Sequence, residues 1–147
     1  MKLLWVTAKR LASDLASTTQ LAVSAALTKR GWDVTIVAPE GDGAEAIAKA
    51  GGITFVGVKR SKKAGFGWLT FGSSLKRTIP SLLNGGGFDV ALVEWQAVAG
   101  TISSLKNAGT PWLIVDRSPP VFRSLAGRLQ WFEYQRAWRL ASSKNGA

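Results

Sequence analysis

Five short apolar runs recur along the chain, each followed by a segment with helical spacing. The runs are Leu3-Leu4-Trp5-Val6, Val34-Thr35-Ile36-Val37, residues 53–58, Val90-Ala91-Leu92-Val93 and Trp112-Leu113-Ile114-Val115. Runs this short, with no polar alternation, read as strands buried on both faces. Helices are expected over residues 20–30, 44–50, 68–83, 96–106 and from 121 to 142, with a bend or interruption near Pro80. Gly31, Pro39, Gly51-Gly52, Gly85-Gly86-Gly87 and Pro119-Pro120 punctuate the alternation. Strand and helix in turn predict an α/β domain: a mainly parallel sheet of about five strands between two helix layers, joined by right-handed crossovers.

The first helix has Ser17, Thr18 and Thr19 ahead of it as capping candidates, and Leu21, Ala25 and Thr28 share one of its faces. Lys29 and Arg30 occupy its last turn, where the helix dipole favours cations. In an open parallel sheet, ligands bind outside the C-terminal strand ends where the strand order reverses. Residues 8–19, 94–97 and 116–120 should line that crevice, with the tip after Ala38 beside it.

Composition removes several chemistries. The 147 residues contain neither cysteine nor histidine. A disulfide, a thiol nucleophile, an imidazole metal site and a Ser-His-Asp triad are therefore excluded within the chain, and no metal site is expected. Nineteen Lys and Arg against nine Asp and Glu give a net charge of +10, which points to an anionic partner. No apolar stretch approaches the roughly 20 residues that cross a bilayer, and charge at Lys9 and Arg10 follows the first apolar run too soon for a signal peptide. The expected location is cytoplasmic, with peripheral membrane attachment.

No Gly-x-Gly-x-x-Gly and no Walker A sequence follows the first strand; Lys9, Arg10, Ser13, Asp14, Ser17, Thr18 and Thr19 stand there instead. That loop can seat an anion through its two cations and the helix start, or simply be a solvated loop with a cap. Glu94, followed by Trp95, ends the fourth strand, and Asp116 with Arg117 ends the fifth. Carboxylates at strand ends suit substrate hydroxyls; a helix-start acid and a structural turn are the plainer alternatives. Lys59, Arg60, Lys62 and Lys63, with Phe66, Trp68 and Phe71 behind them, suit an anionic membrane surface. The same composition suits single-stranded nucleic acid, but no helix-turn-helix, RRM or KH signature supports that partner. On the last helix, Phe122, Leu125, Leu129, Phe132 and Leu140 form one stripe, expected to pack on the sheet. Trp131, Tyr134 and Trp138 form another, expected to stay exposed or to self-associate.

The segment Leu21-Ala22 through Ala26-Leu27-Thr28-Lys29-Arg30-Gly31-Trp32-Asp33-Val34-Thr35-Ile36-Val37 resembles the first helix and second strand of GT-B glycosyltransferases of the retaining group 1 type. Residues 88–96 and 111–120 are similar to that family's fourth and fifth strands with their following turns, and residues 129–142 to its next helix. The resemblance implies a Rossmann-like fold and, over residues 1–147, an N-terminal, acceptor-binding half domain from a longer chain. It implies a sugar or lipid-linked acceptor in a cleft of Lys9, Arg10, Ser17, Thr18, Glu94, Trp95, Asp116 and Arg117, with Asp116 the one catalytic candidate. In that family the nucleotide-sugar donor sits mainly on a second, C-terminal domain bearing a Glu-x(7)-Glu motif. The glutamates here are Glu40, Glu45, Glu94 and Glu133, and no two have that spacing, so no cofactor and no activity are expected of this chain alone. Trp32 stands where the family has histidine, and residues 9–19 where it has a glycine-rich loop. The other reading is a stand-alone Rossmann-like or flavodoxin-like module that holds a phosphorylated ligand or a protein.

Overall fold

A computed structural model describes residues 1–41, 43–61, 67–116, 120 and 125–142, with the side chains of 68, 69, 125 and 126 outside the description. The elements alternate as expected: β1 (Lys2–Val6), α1 (Ser17–Lys29), β2 (Asp33–Pro39), α2 (Ala44–Ala50), β3 (Thr54–Val58), α3 (Gly67–Asn84), β4 (Val90–Glu94), α4 (Trp95–Asn107), β5 (Trp112–Val115) and α5 (Leu125–Ser142). The sheet runs β3-β2-β1-β4-β5, every pairing parallel. This is the expected Rossmann-like, three-layer α/β fold.

Alternation along the strands divides the core in two. Leu4, Val6, Val37, Ala91 and Val93 pack with α3, α4 and α5. Leu3, Trp5, Val34 and Ile36 face the other way, toward α1 and α2. The α3–α4 contact is close because two glycines meet: a Cβ on Gly100 would lie 2.9 Å from the Gly72 carbonyl oxygen and 3.0 Å from Leu75 Cβ. At the edge strand β5, Trp112 and Ile114 pack toward α5, so Leu113 points to the opposite face and is 62% exposed there.

Three expectations about helices are corrected. α1 starts at Ser17 rather than at 20, and its cap residue is Ala16, with no side-chain cap bond. Ser17 and Thr18 donate their hydroxyls to carbonyls upstream instead of accepting from helix N–H groups. The buried face of α1 is Ser17, Gln20 and Ser24, not Leu21, Ala25 and Thr28, although Leu21 and Leu27 pack at its flank. Both Gln20 amide atoms, Ser24 Oγ and Trp5 Nε1 are buried there without a hydrogen-bond partner among the described residues. α3 is one helix from Gly67 to Asn84 with Pro80 inside it. The carbonyl that Pro80 cannot bond belongs to Lys76, an exposed residue, so water can satisfy it. Gly31, with φ +82°, ends α1 in the left-handed conformation that a side chain would resist.

Candidate functional site

Strand order places the switch point between β1 and β4. β1 hands the chain to α1 on one face of the sheet, and β4 hands it to α4 on the other. The loop after β1 and the end of β4 therefore diverge around one crevice. Thr7 and Glu94 stand at this point, 0% and 4% exposed. The Thr7 hydroxyl donates to Glu94 Oε2 at 2.7 Å, and Thr7 Oγ1 in turn accepts the Lys9 N–H at 3.0 Å. Glu94 is the extended residue before α4, so its carboxylate lies at the positive end of that helix. Nothing in the sequence singles out Thr7, since a threonine after a buried strand carries no distinguishing signal.

One residue past the end of β5, Asp116 accepts the Tyr134 hydroxyl at Oδ2 while its buried Oδ1 has no hydrogen-bond partner among the described residues. That hydrogen bond is the main cause holding the Tyr134 phenol above its ordinary value, with burial adding to it. Tyr134 also meets the Trp95 ring edge-on at 5.6 Å and stacks on Trp131 at 5.3 Å. Glu94 pairs in register with Val115, so the two carboxylates end neighbouring strands. A shallow, solvent-open concavity of about 430 Å³, lined by Tyr134, Gln135, Trp138 and Arg139, adjoins this corner.

On the other side of the crevice, the loop after β1 meets the end of β3. The Arg60 guanidinium donates to the Ala8 carbonyl, which places it beside Arg10 and Asp14. Desolvation, chiefly, and then Arg10 lower the Arg60 pKa, and Asp14 opposes them. Asp14 accepts the Arg10 main-chain N–H at 2.7 Å. Lys9 and Arg10 are half-buried and Lys59 is exposed.

Several expected site residues have other work. Ser17 is 1% exposed and donates to Leu11 and Asp14 carbonyls, so it faces the core rather than the cleft. Thr18 is exposed but its hydroxyl closes a turn onto Leu15. Trp95 is 9% exposed and belongs to the core between α4 and α5. The face assignment of the last helix is reversed at Leu129, Trp131, Phe132 and Tyr134, while Leu140 packs on the core and Trp138 stays exposed as expected. Ala137 is buried, Tyr134 and Leu140 pack on the core, and Trp131 is half-buried, whereas Leu129 and Phe132 are 63% and 60% exposed. The aromatic trio is thus not an exposed patch; only Trp138, at 40%, keeps substantial exposure. On that side of α5, Tyr134 is bonded to Asp116. Arg117, Lys62, Lys63, Phe66 and Phe122 lie outside the described residues, as do the side chains of Trp68 and Leu125.

Among the described residues no three His, Cys, Asp or Glu side chains gather as metal ligands, and no helix is long and apolar enough to cross a membrane.

No family model and no curated protein matches the chain. Solved structures share its fold. UGT2 of Phytolacca americana superposes with a TM-score of 0.68 at 10% identity, over 95% of this chain and 44% of that one. A putative UDP-N-acetylglucosamine 2-epimerase from Listeria monocytogenes gives 0.64 at 12% identity, over 96% and 38%. The C-terminal domain of a Pyrococcus furiosus hydrogenase gives 0.59 at 19% identity, over 78% and 90%. The chain spans less than half the length of the first two. At these identities the likeness is one of fold.

Proposed function

We propose that the chain is the acceptor-binding, N-terminal half of a glycosyltransferase that moves a sugar from a nucleotide-sugar to a lipid-linked or saccharide acceptor. The observation that carries this reading is the pair of carboxylates at neighbouring strand ends. Glu94 accepts from Thr7, and Asp116 has one buried oxygen with no hydrogen-bond partner among the described residues. Two fixed acceptors at the crevice can receive hydroxyl protons from a sugar and set its orientation before reaction. Asp116 is the catalytic candidate, since it follows the strand beside that of Glu94 and its Oδ1 has no hydrogen-bond partner among the described residues. Tyr134, protonated and bonded to Oδ2, holds that carboxyl group in place. The structural likeness to UGT2, which has been seen complexed with UDP-2-fluoro-glucose and pterostilbene, supports the same class.

The donor half lies in the remainder of the longer protein, and closing it over the crevice would complete the site. Attachment to an anionic membrane belongs to this reading: Leu129 and Phe132 stand exposed on α5 among Arg128, Arg136 and Arg139, a basic amphipathic face, and Lys59 adds charge at the crevice end.

The test has two parts. The purified chain, given UDP-glucose, UDP-N-acetylglucosamine or GDP-mannose with saccharide acceptors, is expected to transfer nothing. Its reading frame is expected to continue for about 150–250 residues with a second α/β pattern, the usual size of one domain. Transfer by the chain alone overturns the division of labour. The hydrogenase domain, matched over 90% of its length, carries the second reading, a stand-alone binding module; a frame that stops at 147 favours it.

A further inference from the structure

We infer that Arg10 and Arg60, with Lys9 beside them, form a seat for the diphosphate of an acceptor; the assignment to the acceptor rests on the function proposed above, the seat itself does not. In sequence the two arginines are far apart, in separate loops. The fold brings them together because β1 and β3 end at the same edge of a parallel sheet.

Arg60 is held from three directions. Its head group donates to the Ala8 carbonyl. Its stem passes α3 at Gly67, where a Cβ would lie 3.4 Å from Arg60 Nε and 2.9 Å from the Ser61 carbonyl oxygen. The Ser61 N–H donates to Thr70 Oγ1 at 2.9 Å, which ties the loop after β3 to the first turn of α3. A guanidinium braced in this way is pre-organised, so little side-chain freedom is lost when an anion arrives.

Charge at this edge is unbalanced. Among the described residues, the loops at this edge carry Lys9, Arg10, Lys59 and Arg60 against Asp14 and Glu40. Asp14 already accepts the Arg10 main-chain N–H, and Glu40, at the end of β2, lies over Gly57. The side chains of Lys9 and Arg10 make no hydrogen bond or ion pair among the described residues, although both are half-buried. A guanidinium held at the Ala8 carbonyl, two residues before a second arginine, matches a doubly charged phosphate oxyanion better than a carboxylate, because two forks can address several oxygens at once. Burial, chiefly, and then the like charge of Arg10 lower the Arg60 pKa, in keeping with a second cation nearby.

The experiment is calorimetric titration of the chain with inorganic pyrophosphate at fixed ionic strength. Arg10→Gln and Arg60→Gln are each expected to weaken binding by about tenfold, the loss typical of a charge-assisted bond. Arg30→Gln, at the opposite end of the sheet, removes the same charge and is expected to change it less than about twofold. The Arg10 side chain makes no hydrogen bond among the described residues, so its variant keeps the result interpretable if Arg60→Gln fails to fold. Gly67→Ala, which displaces Arg60 without removing charge, is expected to weaken binding as well. Equal losses in all the charge variants overturn the seat and leave only general electrostatic attraction. Competition then separates the sources. Farnesyl diphosphate is expected to displace pyrophosphate, and UDP to bind no better than pyrophosphate. UDP binding about tenfold tighter would assign the seat to a nucleotide and overturn the acceptor assignment. Transfer activity is read separately, so the proposed function can fail while the seat stands, and the reverse.

Discussion

The Thr7 hydroxyl lies 2.7 Å from Glu94 Oε2, and the bond ties the ends of β1 and β4 together at the point where the strand order reverses. It fixes a carboxylate that would otherwise have several rotamers, and it does so in a buried setting where an exposed pair would contribute little. Thr7→Val keeps the shape and removes the donor. The expected loss is about 1–3 kcal/mol of folding stability, the usual penalty for withdrawing a partner from a buried polar group. Thr7→Ser should recover most of it. Urea denaturation of both variants measures this; equal stability of Thr7→Val and the parent would show that the bond contributes nothing.

Tyr134 is the chain's one tyrosine, so its ionisation can be read directly by absorbance near the tyrosinate band. The Asp116 hydrogen bond raises its pKa above 10.0, and burial adds to the rise. The stabilisation that follows is fully present below the unfolded value and is lost as pH rises through the folded one. Tyrosinate should therefore appear at higher pH in the folded chain than in urea. Asp116→Asn, which keeps the shape and removes the charge, should move the folded titration back toward 10.0.

Much of the architecture is legible in sequence for a simple reason. In this fold both sheet faces are covered over most strands, so the strands are apolar throughout and stand out from the helices between them. The run Val34 to Val37 shows this, and so does the Gly31 stop before it, where φ is positive. The helix faces were harder to read. α1 buries Ser17, Gln20 and Ser24 against the sheet, so its periodicity carries almost no apolar signal. α5 has two apolar stripes, and on the inward one Tyr134 is bonded to Asp116, a residue outside the helix. The Arg10–Arg60 encounter is a product of strand order, which no local pattern encodes. The carboxylates Glu94 and Asp116 are legible as strand-end acids; Thr7, which donates to Glu94, is not.

The reversed faces of α5 give a clear comparison. Phe132→Ser removes a ring that is already 60% exposed, so stability should change by no more than about 0.5 kcal/mol. Trp131→Ser removes a half-buried ring stacked on Tyr134 and should cost about 1–3 kcal/mol. Binding to anionic vesicles should fall for Phe132→Ser and be unchanged for a core variant that still folds. If Trp131→Ser is neutral and Phe132→Ser unfolds the domain, the inward face has been misassigned.

Gly100 faces the Gly72 backbone and Leu75 Cβ in the α3–α4 contact. A methyl group there would lie 2.9 Å from the Gly72 carbonyl oxygen, and neither helix can move without disturbing Leu75, which is 0% exposed. Gly100→Ala should destabilise by about 1–3 kcal/mol despite the better helix propensity of alanine. A thermal midpoint at or above the parent's would show that the helices separate freely.

The central claim is that this chain binds acceptor and not donor, and backbone amide shifts of the isotopically labelled chain test it most directly. A short-chain polyprenyl diphosphate-linked sugar is expected to move the resonances of Thr7, Lys9, Arg10, Glu94 and Asp116 together, while UDP-glucose at equal concentration moves few of them. Tight UDP-glucose binding at these same residues, or acceptor shifts confined to the outer side of α5, would contradict the account.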